Sequence, residues 1–186
     1  MKLLALTLAL LASTVLGYRL QDKKDQPDAA AQAAAGFPKP GPEHALLQSL
    51  CGDWDAVVHV RGQTAKATMT TRAQGGFFTV DDYTGDYMGQ PFQNHGINGY
   101  DPNKKQFFSV WTDSWLPVPM FLWGTYDEQK KQLTMSGEGC GMDGKPRKAS
   151  VTKTWKDADH WEFMLTDPSP GKSGMSVRIE YSRRKK

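Results

Sequence analysis

The segment from Tyr83 to Trp123 contains most of the side chains suited to holding a small molecule. Aromatic rings provide flat apolar area for stacking, and a histidine or a carboxylate can orient a ligand through a hydrogen bond. Ser109, Trp111 and Asp113 alternate along one run, which places them on one face of a strand. We therefore predict a ligand site formed by His95, Trp111, Asp113, Trp115, Phe121 and Trp123.

A structural role for the same residues stays open at this point. In that interpretation the aromatic rings fill the interior of the fold, and Asp113 caps the amides of a turn. Catalysis would require His95 as a base, Ser109 or Ser114 as a nucleophile, and an oxyanion site within hydrogen-bond reach. The segments GYDPN and TDSW match no nucleophile elbow, so we predict no catalytic residue.

The histidines carry no metal-site spacing. His44, His59, His95 and His160 are far apart, without an HExxH motif or a pair two residues apart, and we predict no metal ligand and no cofactor. A haem needs only one histidine, and His95 would be the candidate for this lower-ranked alternative. The formal net charge is only +3 and basic residues do not interleave with aromatics, so nucleic acid is not an expected partner.

The elements that must position these residues are mainly strands. One short helix is predicted from Pro42, with Leu46, Leu47 and Leu50 on a buried stripe and Gly52 as its stop. Runs rich in Val, Ile, Thr and aromatic residues then recur between turn residues. Ten strands are predicted, at residues 53–61, 65–73, 77–85, 94–100, 106–113, 120–127, 132–139, 147–156, 160–167 and 175–183.

Ten consecutive strands with one apolar face close most simply into an antiparallel up-and-down barrel, because closure removes exposed edges. We therefore predict an all-β barrel of about ten strands with a short N-terminal helix, of the build that the resemblance below identifies as lipocalin-like. The even-numbered connections are compact, whereas most odd-numbered ones are long, at residues 86–93, 114–119, 139–146 and 167–174. One end of the barrel is thus expected to be closed by tight turns, and the other, loop-fringed end to hold the binding site.

The N-terminal residues predict export. Lys2 precedes an apolar stretch over residues 3–16, and a signal peptide of residues 1–17 would be cleaved after Gly17. Residues 18–40, rich in Ala and Pro, are interpreted as a flexible linker, followed by one domain over residues 41–186. The stretch is too short for a comfortable membrane span, so no integral membrane segment is expected after cleavage. The destination, periplasm or medium, stays open.

The two cysteines are expected to be free thiols. Cys51 precedes the first strand at the closed end, and Cys140 lies in the seventh connection at the open end. A disulfide requires Cα atoms within roughly 7 Å, which is less than a strand length.

Four blocks of the sequence resemble an uncharacterised family. They are GPEHALLQSLCGDWDAVV, YTGDYMGQPFQNHGINGYDPNKKQFFSVWTDSW, GTYDEQKKQLTMSGEG and IEYSRR, and together they resemble the DUF1579 family over about residues 41–184. The opening Gly52-x-Trp54 and the late basic residue are also similar to the lipocalin, or calycin, pattern. That resemblance implies that Trp54 packs at the closed end beneath Arg183. It implies a fold, but no biochemical activity.

Three functions follow, in order of preference. The first is an exported protein that binds a small, mainly apolar molecule at the open end of the barrel. The second is a structural or interaction protein whose barrel is filled by its own side chains, with the loops at 86–93 and 114–119 contacting a partner. The third is a hydrolase-type enzyme with His95 as its base. The ligand and the oligomeric state are not determined by the sequence.

Overall fold

The computed structural model describes residues 36, 38–87, 89–167 and 176–185. The chain divides into two compact units, Met1–Lys39 and Pro40–Lys186, and all regular structure described lies in the second. The predicted signal peptide, residues 1–17, lies outside the described residues, as does nearly all of the predicted linker. Gly36, Pro38 and Lys39 are the linker residues of the first unit that are described, and all three are exposed.

The helix and all ten predicted strands are present. They are α1 (Pro42–Gln48), β1 (Gly52–Val60), β2 (Gln63–Gln74), β3 (Phe78–Tyr87), β4 (Gln90–Asp101), β5 (Gln106–Asp113), β6 (Met120–Asp127), β7 (Gln132–Cys140), β8 (Pro146–Trp155), β9 (His160–Thr166) and β10 (Val177–Arg183).

Each strand pairs antiparallel with its neighbours in sequence, and β1 pairs with β10 to close the barrel. The closing register runs from Trp54 opposite Arg183 to Val60 opposite Val177. The predicted fold class is therefore confirmed. We call the end that carries α1, the start of β1 and the end of β10 the helix end, and the opposite end the loop end.

Two of the predicted long connections are wrong, because the flanking strands extend into them. β3 and β4 stay paired up to Tyr87 opposite Gln90, which replaces the expected loop at 86–93 by a tight turn. The carboxylate of Asp86 accepts a 2.7 Å hydrogen bond from the backbone of Gly89, which has a φ of 78° that favours glycine. The predicted loop at 139–146 is also shorter, because β7 and β8 pair as far as Cys140 opposite Pro146.

The helix end is sealed by α1 and by the last strand. Leu47 and Leu50 are buried in the core, and the Trp54 indole donates a 2.9 Å hydrogen bond to the Leu50 carbonyl. The Arg183 guanidinium lies 4.2 Å from the centre of the Trp54 ring and donates to the carbonyls of Cys51 and Ser49 at 2.8 and 3.0 Å. A single arginine therefore ties the base of the barrel to the segment that precedes β1.

The cysteines lie at opposite ends of the barrel. Cys51 follows α1 at the helix end, Cys140 ends β7 at the loop end, and both are free. Burial raises the pKa of the Cys51 thiol, with a smaller contribution from the negative charge of Asp81.

Strand alternation divides the side chains between the interior and the outer surface. In the middle of the barrel the interior is filled, and Val58, Leu122 and Val151 have no exposed surface. Two inward glycines let β6 and β7 approach closely. A Cβ atom on Gly137 would lie 1.8 Å from the backbone oxygen of Phe121, and one on Gly124 would lie 1.8 Å from that of Thr134.

We predict that Gly137→Ala destabilises the barrel strongly, whereas Gly139→Ala on the same strand does not. The first Cβ would collide with backbone that cannot move aside, at a cost of about 3 kcal/mol or more in unfolding free energy. The second would meet only the flexible side chain of Met120, at 3.4 Å. Urea unfolding of both variants measures the difference, and equal midpoints would contradict this account of the β6–β7 pairing.

Candidate functional site

At the loop end of the barrel, a ring of inward apolar side chains remains partly exposed. These residues point inward from seven strands and pack against the buried core without being covered by it. We call them the loop-end bowl, and they are Ala65, Tyr87, Phe92, Trp111, Met120, Leu165 and Val177. Apolar side chains that converge from several strands above a buried core can line a small-molecule site.

Two of the six predicted site residues lie on the inner face of β5. The Trp111 ring packs at 5.3 Å from the ring of Phe163, and a Cβ on Gly96 would lie 3.1 Å from it. Asp113 accepts 2.8 Å hydrogen bonds from the backbone amides of Trp115 and Leu116. Asp113 therefore has the turn-capping role that the structural alternative assigned to it.

Trp115 lies at the rim of the bowl, in the connection between β5 and β6. Its indole donates a 3.0 Å hydrogen bond to the Pro91 carbonyl, and its ring lies 4.9 Å from that of Phe92 and 5.8 Å from that of Tyr87. Phe92 also contacts the Tyr83 ring at 6.0 Å. The rim thus carries a packed cluster of four aromatic rings from β3, β4 and this connection.

His95 faces away from the interior. Its Nδ1 lies 2.8 Å from Asp82 on the outer face of β3, and about half of each side chain is exposed. The hydrogen bond to His95, followed by that to Arg72, lowers the pKa of Asp82. His95 therefore contacts Asp82 and not Asp113, and the barrel wall separates it from Ser109, which is buried inside. Its outward position keeps it away from Ser109 and from the barrel interior, and the hydroxyl of Ser114 accepts a hydrogen bond from the Gln93 amide.

Phe121 and Trp123 also lie on the outer surface. Phe121 is 52% exposed, and Trp123 packs on Phe108 at 5.3 Å with the Lys104 ammonium 3.8 Å from its ring centre. They belong to two laterally paired rows of outward apolar side chains on β3–β6. We call this set the outer apolar face, and it consists of Phe78, Val80, Ile97, Phe108, Val110, Phe121 and Trp123.

The structure therefore brings Trp111, Asp113 and Trp115 to the loop end and leaves His95, Phe121 and Trp123 outside. Ligand binding by the inward residues stays a prediction. Tyr83, Tyr87 and Phe92 were not predicted as site residues, although they lie in the segment from Tyr83 to Trp123. Their inward orientation could not be predicted, because the sequence indicated a loop at residues 86–93, where β3 and β4 in fact continue.

Two tyrosine hydroxyls meet inside the barrel, beneath the rim. Tyr83 and Tyr87 both point inward from β3, and their hydroxyl groups are hydrogen-bonded to each other. Gly85 lies between them, and a Cβ there would be 3.6 Å from the Tyr83 hydroxyl. Burial raises the pKa of both phenols, so both stay neutral at physiological pH.

A surface cleft at the helix end does not offer a free charged site. Its volume is about 420 Å³, and it is lined by Gly52, Asp53, Thr70, Thr71, Arg72, Arg183 and Arg184. Arg72 is paired with Asp82, Arg184 with Asp55, and Arg183 with backbone carbonyls. Each guanidinium is already engaged, which leaves little to attract an anion.

The family model described as a protein of unknown function, DUF1579, matches residues 39–183. The chain belongs to the DUF1579 family. No curated protein matches the sequence. The family description assigns no activity, so what the DUF1579 barrel does must be argued from its own residues.

Solved structures resemble the fold of the DUF1579 barrel at low sequence identity. Rv2717c from M. tuberculosis aligns with a TM-score of 0.56 and 13% identity, covering 79% of this chain and 100% of that one. A redesigned β-barrel, mFAP0, bound to DFHBI, aligns with a TM-score of 0.45 and 14% identity over 73% and 100% of the two chains. The first similarity supports the barrel architecture, and neither identifies a ligand for this protein.

Among residues 36, 38–87, 89–167 and 176–185, no three His, Cys, Asp or Glu side chains come together as a metal site would require. The same part of the chain contains no helix with the length and apolarity needed to span a bilayer.

A buried polar layer crosses the interior of the DUF1579 barrel near the helix end. Asn98 is its centre, donating to Asp81 at 2.8 Å and accepting from Ser109 at 2.5 Å and from the Lys153 ammonium at 3.3 Å. Thr71 donates to the other oxygen of Asp81 at 2.7 Å. Opposite charges on β3 and β8 are thus linked through one amide side chain.

Lys153 is a buried ammonium group with few partners. Desolvation lowers its pKa, and the negative charge of Asp81 opposes that shift. Besides Asn98, its Nζ has the Trp161 ring, 5.9 Å away. From the sequence alone, Lys153 would be predicted to be exposed, because lysine is rarely buried without a charged partner.

We predict that Lys153→Met destabilises the protein by about 3 kcal/mol, because it leaves the buried Asp81 carboxylate without a compensating charge. Asp81→Asn should cost a similar amount by stranding the ammonium. The double variant should lose clearly less than the sum of the two, since an apolar and a neutral polar side chain no longer strand a charge. Urea denaturation of the four proteins measures this coupling, and strictly additive losses would show that the two charges do not interact.

Proposed function

We propose that this protein binds a small, mainly apolar molecule in the loop-end bowl. The observation that carries the proposal is that inward apolar side chains converge on the loop end without being covered. Trp111, Leu165 and Val177 remain partly exposed there, whereas the core beneath them, with Val58, Leu122 and Val151, is fully buried. Apolar surface that faces a concavity and contacts water is the surface that an apolar ligand covers most favourably.

The rim cluster supports the same proposal. Burying apolar area yields about 25 cal/mol per Å², and aromatic rings supply much of that area with few rotatable bonds. Tyr87, Phe92 and Trp115 are held in place by their edge contacts and by the Trp115–Pro91 hydrogen bond. A rim that is ordered before the ligand arrives lowers the entropic cost of binding.

The proposed setting is outside the cytoplasm. Lys2, the apolar stretch at residues 3–16 and the small residues before position 18 support export through a cleaved signal. A carrier of poorly soluble molecules fits such a compartment.

We predict that Val177→Trp abolishes binding of the neutral apolar dye N-phenyl-1-naphthylamine, which the wild-type protein should bind with increased fluorescence. The indole would occupy the bowl, because Val177 is inward and half-buried at the first position of β10. Val57→Trp is the matched control, since Val57 faces outward from β1 and is 37% exposed. Unchanged dye binding in Val177→Trp, or no binding by the wild type, would count against the proposal.

A second function, protein interaction, is favoured by the outer apolar face. Most other outward positions carry polar or charged side chains, whereas Ile97, Val110 and Phe121 form one laterally paired apolar row. Contiguous exposed apolar surface marks interaction sites. The partner we propose is a second copy of the chain, because a two-fold contact buries the same apolar rows on both copies at once.

We predict a concentration-dependent dimer in sedimentation equilibrium that Phe121→Asp converts to a monomer. An unpaired carboxylate would have to lose its water inside the interface. Val57→Asp, on an exposed strand position outside the outer apolar face, should leave the association unchanged. A monomeric mass for the wild type at all concentrations would remove this second function and leave the first untouched.

A further inference from the structure

The loop end contains hydrogen-bond donors with nothing to donate to. Tyr83 and Tyr87 have one hydroxyl hydrogen each, and the bond between them uses one of the two. The other hydrogen has no acceptor among the residues that the structure describes. The indole N–H of Trp111, over Gly96, likewise donates to no described residue.

The free hydroxyl hydrogen belongs to the tyrosine nearer the opening. Tyr83 is only 5% exposed, whereas Tyr87 is half-buried at the end of β3. If Tyr83 donates to Tyr87, the unused hydrogen lies on Tyr87, where a ligand or water can accept it. The reverse arrangement would leave a free donor deep in the apolar interior, which costs about 1–3 kcal/mol.

Other inward indoles differ from Trp111 in this respect. Trp54 donates to the Leu50 carbonyl, so its N–H is satisfied. Trp155 and Trp161 lack an acceptor, but their N–H groups are closed off at the helix end. Trp111 is therefore the inward indole that combines an unused donor with a position in the loop-end bowl.

The charges inside the barrel favour a neutral ligand over a carboxylate. Burying an anion requires a cation that is free to pair with it. Lys153 is held by Asn98 in a layer that already contains Asp81, and Arg147, inward on β8 at the loop end, is paired with Asp143 at 2.9 Å. The available donors, a phenol and an indole, are both neutral.

We propose that the ligand is an apolar molecule that bears a neutral carbonyl-type oxygen, which accepts a hydrogen bond from Tyr87 and faces Trp111. The inference rests on the proposed function of the loop-end bowl and names the class of molecule held there. The apolar body supplies most of the affinity, and the oxygen selects among apolar molecules because unpaired donors penalise those that lack it.

The test compares three probes of nearly equal size: acetophenone, ethylbenzene and benzoate. Dissociation constants are measured by ¹H–¹⁵N NMR titration of the full chain, with the Trp111 indole signal assigned through Trp111→Phe. The wild type should bind acetophenone about fivefold more tightly than ethylbenzene, as one neutral hydrogen bond allows. Benzoate should bind most weakly, and acetophenone should move the Trp111 indole signal downfield.

Variants of the tyrosine pair locate the effect. Tyr87→Phe should bring acetophenone to the affinity of ethylbenzene without changing that of ethylbenzene, whereas Tyr83→Phe should retain the preference. Tyr126→Phe, a tyrosine of β6 at the helix end, is the matched control and should behave as the wild type. If Tyr83 turns to replace Tyr87, the double variant Tyr83→Phe/Tyr87→Phe must lose the preference, and its retention there would overturn the inference.

The possible failures are distinguishable. Equal binding of acetophenone and ethylbenzene by the wild type would overturn the carbonyl inference and leave the loop-end bowl as an apolar site. Tighter binding of benzoate would overturn it in favour of an anionic ligand. Binding of none of the three, together with no dye binding, would remove the proposed function itself.

Discussion

The pairing of β1 with β10 is the constraint on which the rest of this structure depends. Once Trp54 stands opposite Arg183, the direction of every later strand follows, because each connection reverses the chain. The same pair seals one end, since Arg183 bonds the carbonyls of Ser49 and Cys51 and lies on the Trp54 ring. Closure thus produces two unlike ends, one tied together by Arg183 and the other bordered by the loop-end bowl.

The strands themselves were predictable from the sequence, because β-branched and aromatic residues recur between turn residues at short spacing. The lengths of the connections were harder to predict. The β3–β4 turn carries its signals at Asp86 and Gly89, but polar Gln90 and Gln93 lie on strand β4, although the sequence alone predicts them in a loop. Hydrogen bonding between two long strands overrides the weak preference of such residues for turns.

Which face of a strand points inward was harder to predict where both faces are apolar. In β6, Met120 and Leu122 point inward while Phe121 and Trp123 point outward, and no polar residue separates the two sets. Alternation of apolar and polar residues along a strand identifies the buried face only when the other face is polar. Phe121 and Trp123 were therefore predicted in the interior site. Phe121 and Trp123 were assigned to the interior because they are apolar, but they belong to the outer apolar face.

The interior polar layer satisfies its own charged groups and needs no partner from the loop-end bowl. Asn98 satisfies Asp81, Ser109 and Lys153 together, so the charged groups near the helix end need no partner from the opening. Stability is thereby concentrated in the sealed half, where Leu133, Met135 and Val151 are fully buried. The other half can keep donors on Tyr87 and Trp111 that have no acceptor among the described residues, because the cost of unused donors near water is small. The buried charges are thus paired near one end of the barrel, and the unused donors at the other end are neutral.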